Sequence, residues 1–204
     1  MLDFIRVACA VPPVHLADPI RNAEHHCTIL QTADAQKADI LVFPELSLTG
    51  YTCQDLFFQS TLYAETLRGL EMLLECSESC PGVTAVVGLP LHLIGELYNC
   101  AAVLSAGVLL GLVPKTYLPN YNEFYEKRWF ASGNRLRTDT AVLELPSRGC
   151  IQTPISAKSL FLLGEGTKMG VEICEDLWTP VPPSSILALS GAEVIVNLSA
   201  SNET

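Results

Sequence analysis

Residues 38–51 read ADILVFPELSLTGY. Asp39 to Phe43 carries a continuous apolar run that Pro44 closes, with no polar alternation in it. A run of this kind suits a strand covered on both faces, as in a sheet that helices or a second sheet enclose. Upstream, Phe4 to Val11 reads as another strand. Between the two, Pro19 to Ala38 places Ile20, Ala23, Cys27, Leu30 and Ala33 near a 3.6-residue period. Asp18 before Pro19 supplies an N-cap followed by proline at the first helical position, so this segment reads as a helix.

The same alternation continues downstream. A second helix fills Leu62 to Cys80 and stops at Pro81-Gly82, and Thr84 to Leu89 follows as a buried strand. Tyr98 to Ser105 and Val108 to Val113 face each other across Ala106-Gly107, a hairpin signal. Ser159 to Leu163 and Lys168 to Ile173 read as strands turned by Gly164-Glu165-Gly166. A short helix after Pro182-Pro183 leads to a last strand, Glu193 to Leu198. Strands alternating with helices predict an α/β sandwich. Leu118 to Asp139 has no clean period and is rich in Tyr, Asn, Glu and Arg, the character of a functional loop.

With 204 residues against roughly 150 per domain, the chain is one ample domain or one domain cut short. Charged residues make up 17%, below the usual ~25%, and mean hydropathy is +0.31, so a large core is expected and disorder is not. The net charge of -10 argues against nucleic acid and anionic membranes as partners. The longest apolar stretch, Ala101 to Pro114, is interrupted by Ser105, Gly107 and Gly111 and falls short of the ~20 residues that span a bilayer. Asp3 and Arg6 interrupt the first residues, so no secretory signal is read. Eight scattered cysteines without a C-x-x-C pair read as small buried hydrophobes in a reducing cytoplasm.

Three strand ends carry reactive groups. Glu45 follows the strand closed by Pro44, Lys115 follows Val108 to Val113 and Pro114, and Cys174 ends the strand Lys168 to Ile173. Each alone has a plainer reading: an N-cap or surface ion pair for Glu45, a solvated side chain for Lys115, packing for Cys174. Cys174 is nevertheless flanked by Glu172, Glu175 and Asp176, whose charges would raise its pKa unless a cation such as Lys115 compensates. Together, a carboxylate base, a fixed cation and a thiol nucleophile make an acyl-transfer set. A cysteine–histidine dyad is the alternative, but His15, His25, His26 and His92 lie in unmatched contexts. His25, His26 and Cys27 point in different directions on one helix and make a poor metal site.

FPELSLTGY, VPKTYLPNYNEFYEKRWFASG and GVEICEDLW resemble the three catalytic blocks of the nitrilase superfamily of carbon-nitrogen hydrolases. LPNYNEFYEKRWF with CEDLW narrows the resemblance to the glutaminase domains of glutamine-dependent NAD synthetases, over essentially the whole chain. The resemblance implies a nitrilase-like four-layer α-β-β-α sandwich over residues 1–204. It also implies a triad of Glu45, Lys115 and Cys174 and a further active-site acid at Glu123. It assigns Tyr51 and Tyr121 to the glutamine pocket, Glu175 and Ser201 to the substrate's amino-acid end, and Trp178 to a position near the pocket.

The implied reaction is hydrolysis of the glutamine side-chain amide through a cysteine thioester, with no metal or organic cofactor. In the family the ammonia serves a synthetase domain that uses ATP and Mg to convert deamido-NAD to NAD. No such domain is read in this sequence, which is expected to end before the sandwich closes. The superfamily also leads us to expect a homo-oligomer. The competing expectations are another amidase of the superfamily acting on a small amide, and a non-catalytic fragment or binding module.

Overall fold

Strands β1 (Val7–Cys9) and β2 (Ile40–Val42) lie parallel, and β2 is parallel in turn to β3 (Thr84–Leu93). β3 pairs antiparallel with β4 (Glu96–Ser105), and β4 with β5 (Val108–Pro114), completing a five-stranded sheet in the order β1-β2-β3-β4-β5. A hairpin, β6 (Thr140–Leu145) with β7 (Gly149–Pro154), stands beside it. The second sheet has β8 (Leu160–Leu163) antiparallel to β9 (Thr167–Ile173), and β9 parallel to β10 (Val194–Leu198). The computed structural model describes residues 4–164 and 166–201; Glu165, in the turn read between β8 and β9, lies outside them.

The pleat sorts side chains into two cores. Leu41, Phe43, Ala85, Val87, Leu89, Ala102 and Leu104 face helices α1 (Pro19–Ala35) and α2 (Ser60–Glu78), against Ala23, Leu30, Leu70 and Leu74. Their neighbours Ile40, Val42, Val86, Ala101, Val103 and Val113 turn the other way, onto Met169, Val171, Ile173, Val196 and Leu198 of the second sheet. Both faces of the large sheet are thus apolar, which is why its strands read as unbroken runs. On β9, Met169, Val171 and Ile173 face the first sheet, whereas a Cβ on Gly170 would meet Leu187 of helix α3 (Pro183–Leu189) at 2.9 Å. Helices, sheet, sheet and helix therefore make the four layers that were expected.

Most element boundaries fall within a few residues of the sequence reading. Asp18 caps α1, its side chain accepting from the Arg21 N–H at 3.1 Å. The helix stops at Ala35, ahead of the expected Ala38, and Lys37 takes the left-handed conformation (φ 58°) that closes such ends. The turn between β4 and β5 has positive φ at both Ala106 (49°) and Gly107 (80°), as a tight two-residue hairpin requires. Strand β1 is shorter than Phe4 to Val11, because both of those residues project into solvent. Among the described residues no helix is long and apolar enough to cross a membrane.

Candidate active site

Glu45 lies just beyond β2, on a turn pressed against β3. A Cβ on Gly88 would stand 2.3 Å from the Leu46 nitrogen and 2.6 Å from the Pro44 oxygen, so only glycine lets the turn sit there. Leu46 itself has a left-handed backbone (φ 51°), and the Leu48 N–H is tied to the Gly88 carbonyl at 3.1 Å. The result is a carboxylate almost wholly withdrawn from water.

Lys115 follows β5 and is fully buried, the opposite of the solvated lysine that its sequence position alone allows. Its Nζ donates to Glu45 Oε1 at 2.6 Å and to Glu126 Oε1 at 2.7 Å. Burial works against its charge, but the two carboxylates outweigh that and raise its pKa, so the ammonium is permanent. Asn99, inside β4, donates its Nδ2 to the same Glu45 Oε1 at 2.8 Å. Glu45 Oε2 has no hydrogen-bond partner among the described residues.

The acid brought to Lys115 is Glu126. Glu123, expected as a further active-site acid, is exposed. The two glutamates of YNEFYE are three residues apart. The 3-10 turn Glu126–Arg128, followed by buried Trp129 and Phe130, draws the second one inward. Tyr51 donates its hydroxyl to Glu126 Oε1 at 2.7 Å. Burial, and after it the charge of Glu45, lifts the Glu126 pKa to about 7, with Lys115 and Tyr51 pulling the other way.

Cys174 sits where β9 passes into the 3-10 turn Cys174–Trp178 and has a left-handed backbone, φ 45°, a conformation that costs a non-glycine residue ~1–2 kcal/mol. Its side chain is buried, with Ser201 Oγ 3.6 Å from the sulfur. Burial and then Glu45 push the thiol pKa up, while Lys115, Ser201 and the Ala200 backbone N–H pull it down. The balance leaves a thiol that needs a base before it can attack.

Asp176, two residues on, is buried and reaches across to the Lys115 strand end. Its Oδ1 accepts from the Thr116 N–H at 3.0 Å and the Tyr117 N–H at 2.7 Å, and its Oδ2 from the Ile173 N–H at 3.1 Å. Burial outweighs these bonds and lifts its pKa to about 7.

The outer residues are placed differently. Tyr121 is half exposed and donates to Glu175 Oε2 at 2.7 Å, so those two form a pair. Trp178 is largely exposed at the end of its turn. His26 is buried against Ser47 Oγ (3.0 Å) and the Asn22 carbonyl (2.6 Å), His25 stacks on His15, and His92 packs edge-on to Tyr63. A cavity of about 800 Å³ lined by Ile5, Asp39, Thr84, Val108 and Thr167 borders the starts of β2, β3, β5 and β9, the opposite ends from those that lead to Glu45, Lys115 and Cys174.

Asn99, Glu126 and Asp176 are the residues that the sequence reading missed. Asn99 had a signal, as a lone amide inside the apolar run YNCAAVL. Asp176 stood in a quoted motif but was credited only as a charge beside the thiol.

Comparison with known proteins identifies the family and the fold. The model of the carbon-nitrogen hydrolase family matches residues 6–204. A glutamine-dependent NAD(+) synthetase of Mycobacterium leprae is 35% identical over 97% of the chain, and one of Thermotoga maritima 34% over 97%. The chain spans 28% and 30% of their respective lengths. The crystal structure of a glutamine-dependent NAD(+) synthetase from Cytophaga hutchinsonii superposes with a TM-score of 0.76 at 30% identity, over 97% of this chain and 30% of that one. An amidase from Nesterenkonia sp., 19% identical with a TM-score of 0.71, covering 98% of this chain and 66% of its own, shares the fold.

Proposed function

Because the chain belongs to the carbon-nitrogen hydrolase family, we propose that it hydrolyses the side-chain amide of glutamine through a thioester on Cys174. The observation that carries this reading is the buried Lys115, held at 2.6 Å and 2.7 Å by two carboxylates at a strand end beside the buried Cys174 turn. Its two carboxylates offset the cost of burying that charge, and a fixed cation in a dry site is a ready donor to a developing oxyanion.

Lys115 and Asn99 occupy Oε1 of Glu45, which leaves Oε2 to accept a proton. Glu45 takes the proton of Cys174, and the thiolate attacks the amide carbonyl carbon. Lys115 meets the oxyanion. The tetrahedral intermediate collapses as Glu45 returns the proton to nitrogen, releasing ammonia and leaving an acyl-thioester. Water, deprotonated by Glu45, then attacks the thioester and releases glutamate and the free thiol.

Glutamine is favoured as substrate by the relatives' names and by the Tyr121–Glu175 pair, whose carboxylate suits an α-ammonium group. Ser201, 3.6 Å from the sulfur, is assigned to the same amino-acid end, and Trp178 to the outer rim. The ammonia then serves an ATP- and Mg-dependent synthetase activity on deamido-NAD, residing outside this fold. The eight free cysteines fit a reducing cytoplasm.

The test is ammonia release from glutamine by the chain and by Cys174→Ala. The proposal expects release that the substitution abolishes. Release unchanged in Cys174→Ala, or confined to simple aliphatic amides with glutamine refused, contradicts it.

A further inference from the structure

We propose that Asp176 is a positioning residue whose carboxylate clasps the Lys115 strand end to the Cys174 turn, and so sets the nucleophile against its cation. The inference rests on the reading of Cys174 and Lys115 given above. Lys115 and Cys174 come from different sheets, β5 and β9, and among the described residues no strand pairing joins the two sheets at this point. Tyr121 and Glu175 join the two segments at the exposed rim, and Asp176 joins them in the interior. One oxygen accepts from the two backbone N–H groups that follow Lys115, at 3.0 Å and 2.7 Å. The other accepts at 3.1 Å from the N–H of Ile173, the residue before Cys174.

Three backbone donors converge on one buried carboxylate, and Cys174 stands between its two attachment points on the turn in a left-handed conformation. A strained backbone of this kind persists only where its surroundings over-determine it. A carboxylate is needed because both of its oxygens are acceptors. An amide in either orientation turns a donor toward one of the two strand ends. The Thr116 carbonyl is held from its other side by Ser132 Oγ at 2.5 Å, and the Lys115 carbonyl accepts from the Gly133 N–H at 2.7 Å. The loop after Lys115 is therefore fastened independently, and Asp176 chiefly adjusts the Cys174 turn relative to it.

Asp176→Asn preserves volume and tests the clasp, and Asp176→Glu preserves charge while lengthening the reach. Each variant of the full chain is treated with iodoacetamide over a range of pH, and alkylation of Cys174 is followed by peptide mapping. This yields the labelled fraction and the rate constant per reactive site. Glutamine turnover supplies kcat and KM. The proposal expects full labelling of the folded fraction at a rate per site lowered by about 100-fold, a similar fall in kcat and little change in KM, in both variants.

A role in stability alone would lower the labelled fraction and leave the rate per site unchanged, which overturns the proposal. A role as charge alone would make Asp176→Asn faster and move its profile to lower pH, since a negative charge near Lys115 is lost, and would spare Asp176→Glu; this also overturns it. Failure of the wild-type Cys174 to label at all overturns the assigned nucleophile, and the clasp with it.

Discussion

Lys115 shows how far a side chain's surroundings can reverse the expectation from its type. Fully buried, it is stable only because Glu45 and Glu126 share its charge. Lys115→Met leaves two buried carboxylates facing each other, and removing one partner of a buried pair costs ~3–5 kcal/mol. Urea denaturation at pH 8 should report a loss of that order; a variant as stable as wild type would contradict the ion triad. Glu126 carries the opposite sign. Its folded pKa, about 7, stands above the ordinary 4.5, so the stability contributed by its protonated form is complete below about pH 4.5 and is lost as pH rises through about 7. Glu126→Gln keeps an acceptor for Lys115 and Tyr51 without titrating. Its melting temperature relative to wild type should therefore climb between pH 5 and pH 8. A flat difference would show that the carboxylate ionises freely in the fold. Asn99→Ala should cut glutamine turnover about 10- to 100-fold with little change in KM, because Glu45 Oε1 loses one of its two donors and the base is less well aimed. Equal kcat would remove Asn99 from the site. The placement of Glu45, Lys115 and Cys174 at strand ends was legible because each follows an apolar strand. Glu126 was not, because which glutamate of YNEFYE turns inward depends on a 3-10 turn that no periodicity announces.

At the scale of elements, the reading succeeded where burial is two-sided and faltered where it is local. The run over β2 and the helix from Pro19 were plain, since each buries a long apolar pattern. The hairpin β6–β7 was passed over, although Ala141, Leu143 and Leu145 alternate and insert into the core beside α2. Strand β3 runs on to Leu93, past the expected Leu89, because Pro90 sits within the ladder opposite Asn99 without ending it. That ladder also positions Glu45, because β3 passes beneath the Glu45 turn at Gly88. Gly88→Ala should overpack the contact with Leu46 and Pro44 and destabilise by ~1–3 kcal/mol. It should also lower glutamine turnover, although no atom of residue 88 is expected to touch substrate. A variant less stable but of unchanged kcat would separate the turn's packing from its aim.

Over the whole molecule, the site occupies the seam between two sheets. Glu45 and Lys115 belong to the first sheet's strand ends, and Cys174 to the second's. Neither sheet alone assembles the set, so packing of the apolar faces around Val86, Val103 and Val171 is what brings Glu45, Lys115 and Cys174 to one place. The four layers were legible from strand and helix alternation together with the motif resemblance, but the seam's hydrogen bonds, made by Asn99 and Asp176, come from residues distant in sequence from the groups they hold. Acyl transfer through Cys174 is the step on which the proposed reaction turns. Its most direct measurement is mass spectrometry of the protein quenched in acid during turnover of glutamine. The expected result is a glutamyl adduct on Cys174, absent from every other cysteine and absent in Cys174→Ala. Glutamine hydrolysis that proceeds at an undiminished rate in Cys174→Ala, with no adduct on the quenched wild type, would contradict it.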